Sequence, residues 1–374
     1  MGDGRVRFAG QVPLARRTLL ERPGRFAGAV VAVALAVTLM GLITGLWGGF
    51  VAQSNTYVDN TGGSLYIVSP GAQRLTSDAR IPRSAVETAR ETPGVRWAFP
   101  ARSFFAILDM HDQKVAVTVV GYEPDGRGGP WDLAEGRTPV ADDEAVVDEV
   151  LAAQHGLETG DRIDVAGAGV RVVGVSRGSF SSMTAFVFLP HSATDAMLRD
   201  PASTTFVIVG TDVPESVAPL LREQGLAVVD GDEVNATETR FATRAFGRPL
   251  GLMALLAFTT GVLVVGLTSY GAVREQHRLM GVVAALGGGR ARLYRFAIAH
   301  VAATTLAGAA CGAVLFLVAR TAVSWWRPQF PVVLTGREIG LLVAATVVMA
   351  LLAGVFPVHG VGRTDPAEAF RDTT

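Results

Sequence analysis

The chain has 374 residues, of which 49% are hydrophobic and 18% are charged, and its formal net charge is -1. The apolar residues are concentrated in four long blocks instead of recurring at strand or helix spacing, which excludes a wholly soluble protein. Because Cys311 is the only cysteine, no disulfide bond can form within the chain.

The N-terminal segment, residues 1–25, is predicted to be cytoplasmic and to contain a short amphipathic helix over residues 11–21. The first apolar block, residues 26–51, follows it. This block is far longer than the roughly 7 to 15 residues of a signal-peptide core. We therefore expect an uncleaved transmembrane helix.

Within this first block, glycine recurs at every fourth residue, at Gly41, Gly45 and Gly49. This spacing places the three glycines on one helix face and predicts close packing of another helix. The partner could be a second copy of the chain or another helix of the same copy, and the latter is slightly preferred. Gly308 and Gly312 repeat the pattern later in the chain.

The segment from 52 to 248 is predicted to be an α+β domain. It mixes alternating apolar runs with amphipathic ones. The predicted strands are 65–68, 115–120, 170–175, 186–189 and 206–209, and the predicted helices are 83–91, 144–155, 192–199 and 215–224. Residues 109–114 indicate a hairpin tip. Residues 235–247 are predicted to be helical and to run directly into the second apolar block, either as a stiff stalk or as an ordinary connector.

Three further apolar blocks, 249–273, 296–319 and 339–362, complete a set of four. Each exceeds the roughly 20 residues needed to cross about 30 Å of hydrocarbon. The fold class is therefore an α-helical membrane protein with four transmembrane helices and an inserted α+β extracytoplasmic domain.

Charge predicts the orientation of these helices. The segment 52–248 holds 27 acidic and 17 basic residues, whereas the remainder holds 7 acidic and 16 basic residues. Because Lys and Arg near membrane helices are retained in the cytoplasm, both termini and the loop 274–295 should be cytoplasmic. The segment 52–248 and the short loop 320–338 should then lie outside, and the tail 363–374 inside.

The loop 274–295 is the most specific stretch, because it is basic and amphipathic at once. Such a surface suits docking on another protein. Its candidate contact residues are Arg278, Met280, Gly281, Leu286 and Gly287.

These residues belong to the run from Arg278 to Gly288, which resembles the corresponding loop of the MacB/FtsX-like ABC transporter permease family. The C-terminal run from Asp365 to Arg371 resembles the closing segment of that family. In the predicted extracytoplasmic domain, the similar motifs are Gly136-Arg137, Ala145-Val146-Val147, Leu157, Gly160-Asp161 and Val172-Val173-Gly174-Val175. The loop departs from the family at Leu279, where a glutamate is usual, and at Val283-Ala284, where basic residues are common.

The resemblance implies an FtsX-like permease domain at about 250–370 and a MacB-like core domain at 52–248. It also implies a homodimer in the cell membrane, surrounded by lipid and served by two copies of a separate ATPase subunit that holds ATP and magnesium. Such permeases transmit force to export or extract an amphiphile. The alternatives are a non-transporting regulator of an extracytoplasmic cell-wall enzyme and a membrane-anchored binding module without an ATPase.

No catalytic motif is apparent. An ATPase needs a glycine-rich loop ending in Gly-Lys-Ser/Thr, but Lys114 is the only lysine and has no such loop around it. We expect a non-catalytic subunit with no metal, no cofactor of its own and no nucleic-acid partner. Residues that bind substrate are not identified.

Overall fold

The computed structural model describes residues 23–72, 75, 79–110, 113–124, 127–181, 184–275 and 290–362. The chain forms two compact units. The first, called here the helical unit, comprises residues 1–48, 249–327 and 331–374. The second, the sheet unit, comprises residues 49–248 and 328–330.

The secondary structure elements have the following bounds. The helices are α1 (Pro23–Thr61), α2 (Ser84–Glu91), α3 (Glu149–His155), α4 (His191–Leu198), α5 (Pro214–Glu223), α6 (Gly231–Ala242), α7 (Arg248–Glu275), α8 (Arg290–Trp326) and α9 (Gly336–Gly362), with a π-helix at Thr243–Gly247. The strands are β1 (Leu65–Val68), β2 (Ile81–Pro82), β3 (Trp97–Met110), β4 (Gln113–Tyr122), β5 (Leu133–Gly136), β6 (Glu144–Asp148), β7 (Arg162–Val165), β8 (Ala168–Ser176), β9 (Phe180–Ser181), β10 (Thr184–Pro190), β11 (Ser203–Thr204), β12 (Phe206–Gly210) and β13 (Ala227–Asp230).

Four helical runs in the described residues are long and apolar enough to cross a membrane, namely Phe26–Thr61, Gly231–Thr268, Ile298–Trp326 and Gly336–Gly354. The core of the helical unit forms around α1. Val33, Val37 and Met40 of α1 are buried in one cluster with Val265 of α7 and Met349 of α9. The predicted class of four membrane helices with an inserted α+β domain is thus confirmed.

The sheet unit contains a mixed sheet with the strand order β13-β1-β12-β3-β4-β10-β6-β8-β5, in which β7 pairs with β8 and β9 pairs with β10. Most neighbours are antiparallel, but β10 is parallel to β4 and β6 is parallel to β8. A separate pair joins β2 to β11.

Both faces of this sheet are covered. On one face, Leu151 of α3 and Ala193 of α4 pack with Leu108 and Val187. On the opposite face, an aromatic cluster surrounds the end of α1. Helices α2 and α5 lie on the first face and cover the strands at the β13 end. Apolar side chains therefore hold the sheet together from both sides.

The prediction of a single helix over residues 144–155 is wrong for the first half of that range. Residues 144–155 form strand β6 followed by helix α3, because the Asp148 carboxylate accepts hydrogen bonds from the main chain of Val150 at 2.9 Å and of Leu151 at 3.4 Å. These bonds cap a helix that begins only after the strand. The other predicted strands and helices of the segment are present, and β3, which the sequence did not predict, is the longest strand described.

Candidate functional site

The C-terminal end of α1 is anchored in the sheet unit by Tyr57. Its ring lies 5.6 Å from the ring of Phe186 and makes edge contacts with Trp131 at 6.4 Å and Phe206 at 5.9 Å. Its hydroxyl donates to the carbonyl of Gly128 at 3.0 Å. Edge-to-face aromatic contacts add specific geometry to apolar burial, so this socket fixes the end of α1 against the sheet.

A second helical run, α6 followed by the π-helix, is tied to α1 within the sheet unit. Phe246 of the π-helix packs on Phe50 with their ring centroids 4.8 Å apart. Near the end of α1, the amide of Asn235 donates to the carboxylate of Asp59 at 2.9 Å. The predicted helix over residues 235–247 is therefore present and leads directly into α7.

The π-helix in this run is unusual, because π geometry is rare and occurs frequently at functional sites. It occupies Thr243–Gly247, between a helix of the sheet unit and a helix of the helical unit. We call residues 49–61 of α1 together with 231–247 the paired stalks. They form the candidate functional site.

The motif residues of the sheet unit meet around β8. Gly136 has a φ of +78°, and a side chain there would collide with the Val173 carbonyl. The Arg137 main chain donates to that same carbonyl at 3.0 Å, and Gly160 donates to Val172 at 2.8 Å. These motifs therefore build the scaffold, as close backbone approach requires glycine.

Arg137 also forms an ion pair with Glu144. Its guanidinium donates to both carboxylate oxygens, at 2.7 and 2.5 Å, and Arg171 donates at 3.1 Å. The hydrogen bonds from Arg137 are the main cause of a lowered pKa of the Glu144 carboxyl, which falls to about 2. The pair thus stabilises the fold above about pH 4.5 and loses that contribution as the pH falls towards 2.

A second charged network lies between β3 and α4. Arg102 is almost fully buried and pairs with Asp195 at 3.1 Å, and its guanidinium also donates to the Ser203 carbonyl. His191 lies 3.2 Å from Asp195, and burial lowers the pKa of the imidazole to about 4. Because the folded state favours neutral His191, this site destabilises the fold as the pH falls from about 6.5 towards 4.

The glycines of α1 contact other parts of the helical unit of the same chain. A side chain at Gly41 would lie 2.9 Å from the Phe316 ring of α8, and one at Gly45 would lie 2.5 Å from Val332. Gly49 is buried in the same helix. Gly48, which the sequence spacing did not single out, abuts the carbonyl of Val333.

The second glycine pair packs on α1 itself. A side chain at Gly308 would collide with Val33, and one at Gly312 would lie 2.9 Å from Val37. The Thr38 hydroxyl donates to the Gly312 carbonyl at 3.0 Å. The contact between α1 and α8 therefore depends on small residues, as is typical of membrane helices.

The predicted contact residues of the loop 274–295 lie outside the described residues, namely Arg278, Met280, Gly281, Leu286 and Gly287. Their role stays a prediction.

The predicted hairpin tip is supported by the pairing of Asp109 with Lys114 and of Met110 with Gln113. Within the described parts of the chain, no group of three His, Cys, Asp or Glu side chains could hold a metal ion.

Comparison with known proteins gives a family for most of the chain. Residues 26–248 match the model of the MacB-like periplasmic core domain. An uncharacterized ABC transporter permease of Mycobacterium tuberculosis is 27% identical over 368 residues, covering 95% of this chain and 98% of that protein. Another, from Mycobacterium bovis, is 27% identical over 367 residues with the same coverage of both chains.

Two solved structures are also similar to part of the chain. The extracellular domain of the noncanonic ABC-type transporter YknZ from Gram-positive bacteria aligns with a TM-score of 0.34 and 17% identity, covering 44% of this chain and 95% of that one. The periplasmic region of MacB from Actinobacillus actinomycetemcomitans aligns with a TM-score of 0.37 and 15% identity, covering 48% and 92%.

Proposed function

Because this chain belongs to the family of ABC transporter permeases with a MacB-like periplasmic core domain, we propose that it couples ATP hydrolysis by a separate ATPase subunit to export or extraction of an amphiphilic substrate. The coupling is mechanical. Two copies of the permease work with two copies of the ATPase, which holds the ATP and magnesium. Both termini and the loop 274–295 face the cytoplasm, and the sheet unit lies outside, as the distribution of arginine favours.

The observation that carries this proposal is the helical continuity of the paired stalks. Helix α1 runs without a break from Pro23 to Thr61, although the boundary between the two units falls at Gly48. The run from Gly231 to Glu275 is also helical throughout, with the π-helix inside it. A helix transmits a push or a twist that a flexible linker would absorb.

The interior of the helical unit also favours transmission over a channel. Its core is filled by apolar side chains such as Val33, Val265 and Met349. In the described part of this unit, Thr304 and Thr305 are the buried polar residues. Pathways for polar solutes need polar or ionisable groups that face the bundle interior. A filled apolar core suits a bundle that moves as a body.

The proposal is tested by inserting four glycines after Gly247, at the end of the π-helix. The permease and its ATPase are reconstituted in proteoliposomes that contain a fluorescent lipid analogue. We expect the variant to retain ATPase binding and basal hydrolysis but to lose ATP-dependent extraction of the lipid, because a flexible insert breaks the stalk. The same insertion after Gly167, an exposed turn where a side chain would meet no neighbour within 4 Å, is the control.

Undiminished extraction by the Gly247 insertion variant would contradict mechanical coupling through this stalk. A wild-type complex that hydrolyses ATP and activates an extracytoplasmic cell-wall hydrolase, yet moves no lipid, would instead favour the regulator.

A further inference from the structure

Helix α1 contains a glycine-rich stretch where it passes from the helical unit into the sheet unit. Four of its nine residues from Gly41 to Gly49 are glycines, and the last two are adjacent. The boundary between the two units falls directly after Gly48. Glycine is the poorest helix former apart from proline, and pairs of small residues such as glycine are common sites of helix kinks. By itself, this stretch would bend and absorb a force sent along α1.

The segment between α8 and α9 lies against this stretch, and we call residues 327–335 the strap. Val333 of the strap sits on Gly45 and Gly48, which are three residues apart and therefore on the same face of α1. Its N–H donates to the Gly45 carbonyl at 2.9 Å, and its own carbonyl abuts Gly48, where a side chain would collide with it. The glycines that weaken α1 thus also admit the strap.

Apolar burial and a second hydrogen bond hold the strap on α1. Val332 is 3% exposed, and its methyl group would lie 2.5 Å from a side chain at Gly45. Farther along α1, where both partners belong to the sheet unit, the Gln53 side-chain amide donates to the Gln329 carbonyl at 3.1 Å. The strap therefore runs antiparallel to α1 and contacts it both before and after the adjacent glycines.

The two ends of the strap are fixed to the helices that it joins. The Arg327 N–H donates to the Val323 carbonyl of α8 at 2.7 Å. At the other end, the Thr335 N–H donates to the Glu338 carboxylate at 2.6 Å, a bond that caps α9. Beside an apolar membrane helix, lipid offers no hydrogen bonds, so an irregular segment depends on protein partners for its main-chain groups. The strap is therefore costly to detach.

We propose that the strap keeps α1 straight across its glycine-rich stretch, so that movement of the helical unit reaches the α1 part of the paired stalks instead of bending the helix. This inference rests on the proposed function and deepens it, because straightness matters only where α1 transmits force. It gives the loop between α8 and α9 a positioning role in coupling.

The test measures the straightness of α1 directly. Spin labels are attached to Leu35→Cys and Ala52→Cys, two exposed positions on either side of the glycine-rich stretch, with Cys311→Ser as background. Positions 35 and 52 of a straight α-helix have Cα atoms about 25 Å apart. The labelled full-length chain is reconstituted with its ATPase and an excess of unlabelled chain, so that distances between copies do not contribute. Pulsed electron paramagnetic resonance then gives the distribution of distances.

Val332→Asp should lift the strap from α1, because burying an unpaired charge is costly. We expect a narrow distance distribution with the wild-type strap, and a wider one with added shorter distances for Val332→Asp. ATP-dependent lipid extraction by this variant should be largely lost, while ATPase binding is retained. Phe330→Asp is the matched control, because Phe330 belongs to the same strap but is 50% exposed, and it should behave as wild type.

A second variant, Val332→Ala, removes part of the buried contact without adding a charge. It should widen the distribution in the same direction but less, and it keeps the test decisive if Val332→Asp does not fold.

A narrow distribution in the Val332 variants would overturn the inference, because α1 would then be straight without the strap. Undiminished extraction by Val332→Asp despite a widened distribution would overturn the role of the strap in coupling. A wild-type complex that hydrolyses ATP but moves no lipid would contradict the proposed function instead. In that case, a widened distribution in the Val332 variants would still show that the strap keeps α1 straight.

Discussion

The helical unit and the sheet unit differ in how many of their large apolar residues are buried and in which residues form their closest contacts. In the sheet unit, the buried positions include large side chains such as Phe186, Phe188 and Leu189. In the helical unit, many large apolar residues of α7, α8 and α9 are exposed, while glycines lie at the helix contacts. Water drives apolar side chains inward in one unit, but lipid is as apolar as leucine and provides no such drive in the other.

This contrast changes how a buried position is recognised. For the sheet unit, hydrophobicity and its period of two predict which residues face the core. For the helical unit, the small residues at Gly41, Gly45, Gly308 and Gly312 mark the contacts, because they allow backbones to approach.

The largest effect is expected from truncation of a large side chain in the sheet unit. Phe188 is fully buried among Tyr122, Trp131 and Phe186. Phe188→Ala should lower the free energy of unfolding by about 3–5 kcal/mol, since it leaves a cavity. Leu317→Ala in α8, where the side chain is 58% exposed, should change it by about 0.5 kcal/mol or less. Thermal unfolding in detergent measures the stability of both variants. Equal losses of stability would contradict the difference between the two units.

A smaller effect on stability is expected from replacing a glycine of the helical unit by a larger residue. Gly45→Leu should lower the free energy of unfolding by about 1–3 kcal/mol, because its side chain would collide with Val332 and force α1 away. Gly251→Leu in α7, where a side chain meets nothing within 4 Å, should be neutral or slightly stabilising. Yield and thermal stability of the two variants provide the measurement. If Gly45→Leu matched wild type, the glycine face would meet only lipid.

The smallest effect is expected from the hydrogen bond between α1 and α8. Thr38→Val keeps the shape of the side chain and removes a hydroxyl that lies 2.7 Å from the Ala34 carbonyl of its own helix and 3.0 Å from the Gly312 carbonyl of α8. Stability should fall by about 0.6 kcal/mol. Thr259→Val is the matched control, since within the described parts of the chain that hydroxyl bonds to the Leu255 carbonyl of its own helix and to no other helix. A loss above about 2 kcal/mol for Thr38→Val would show that polar contacts, not small residues, dominate this interface.

The sequence predicted the elements that depend on local pattern. The membrane helices were predictable because bilayer thickness sets their length. Five strands, namely β1, β4, β8, β10 and β12, were predictable because their apolar residues cluster or alternate. Strand β3 was missed since Pro100, Arg102 and Ser103 interrupt its apolar pattern. Arg102 is buried there because Asp195, distant in sequence, supplies the opposite charge. No local pattern contains that information.

The candidate site was predictable only in part. The helical character of residues 235–247 follows from their composition, but the aromatic socket of Tyr57 depends on strands that are distant in sequence. Gly48 was missed because it departs from the spacing of four, and its contact is a backbone carbonyl. The predicted contact residues of the loop 274–295, including Leu286, lie outside the described residues, and their role stays a prediction.

The π-helix at Thr243–Gly247 changes the angular phase between α6 and α7. Each residue of an α-helix advances the side-chain direction by about 100°, and π geometry places an extra residue in one turn. A stripe of side chains followed along α6 therefore continues on α7 about 100° away from where an unbroken α-helix would place it. A helical wheel drawn across residues 231–275 as one helix would assign the side chains of α7 to the wrong faces.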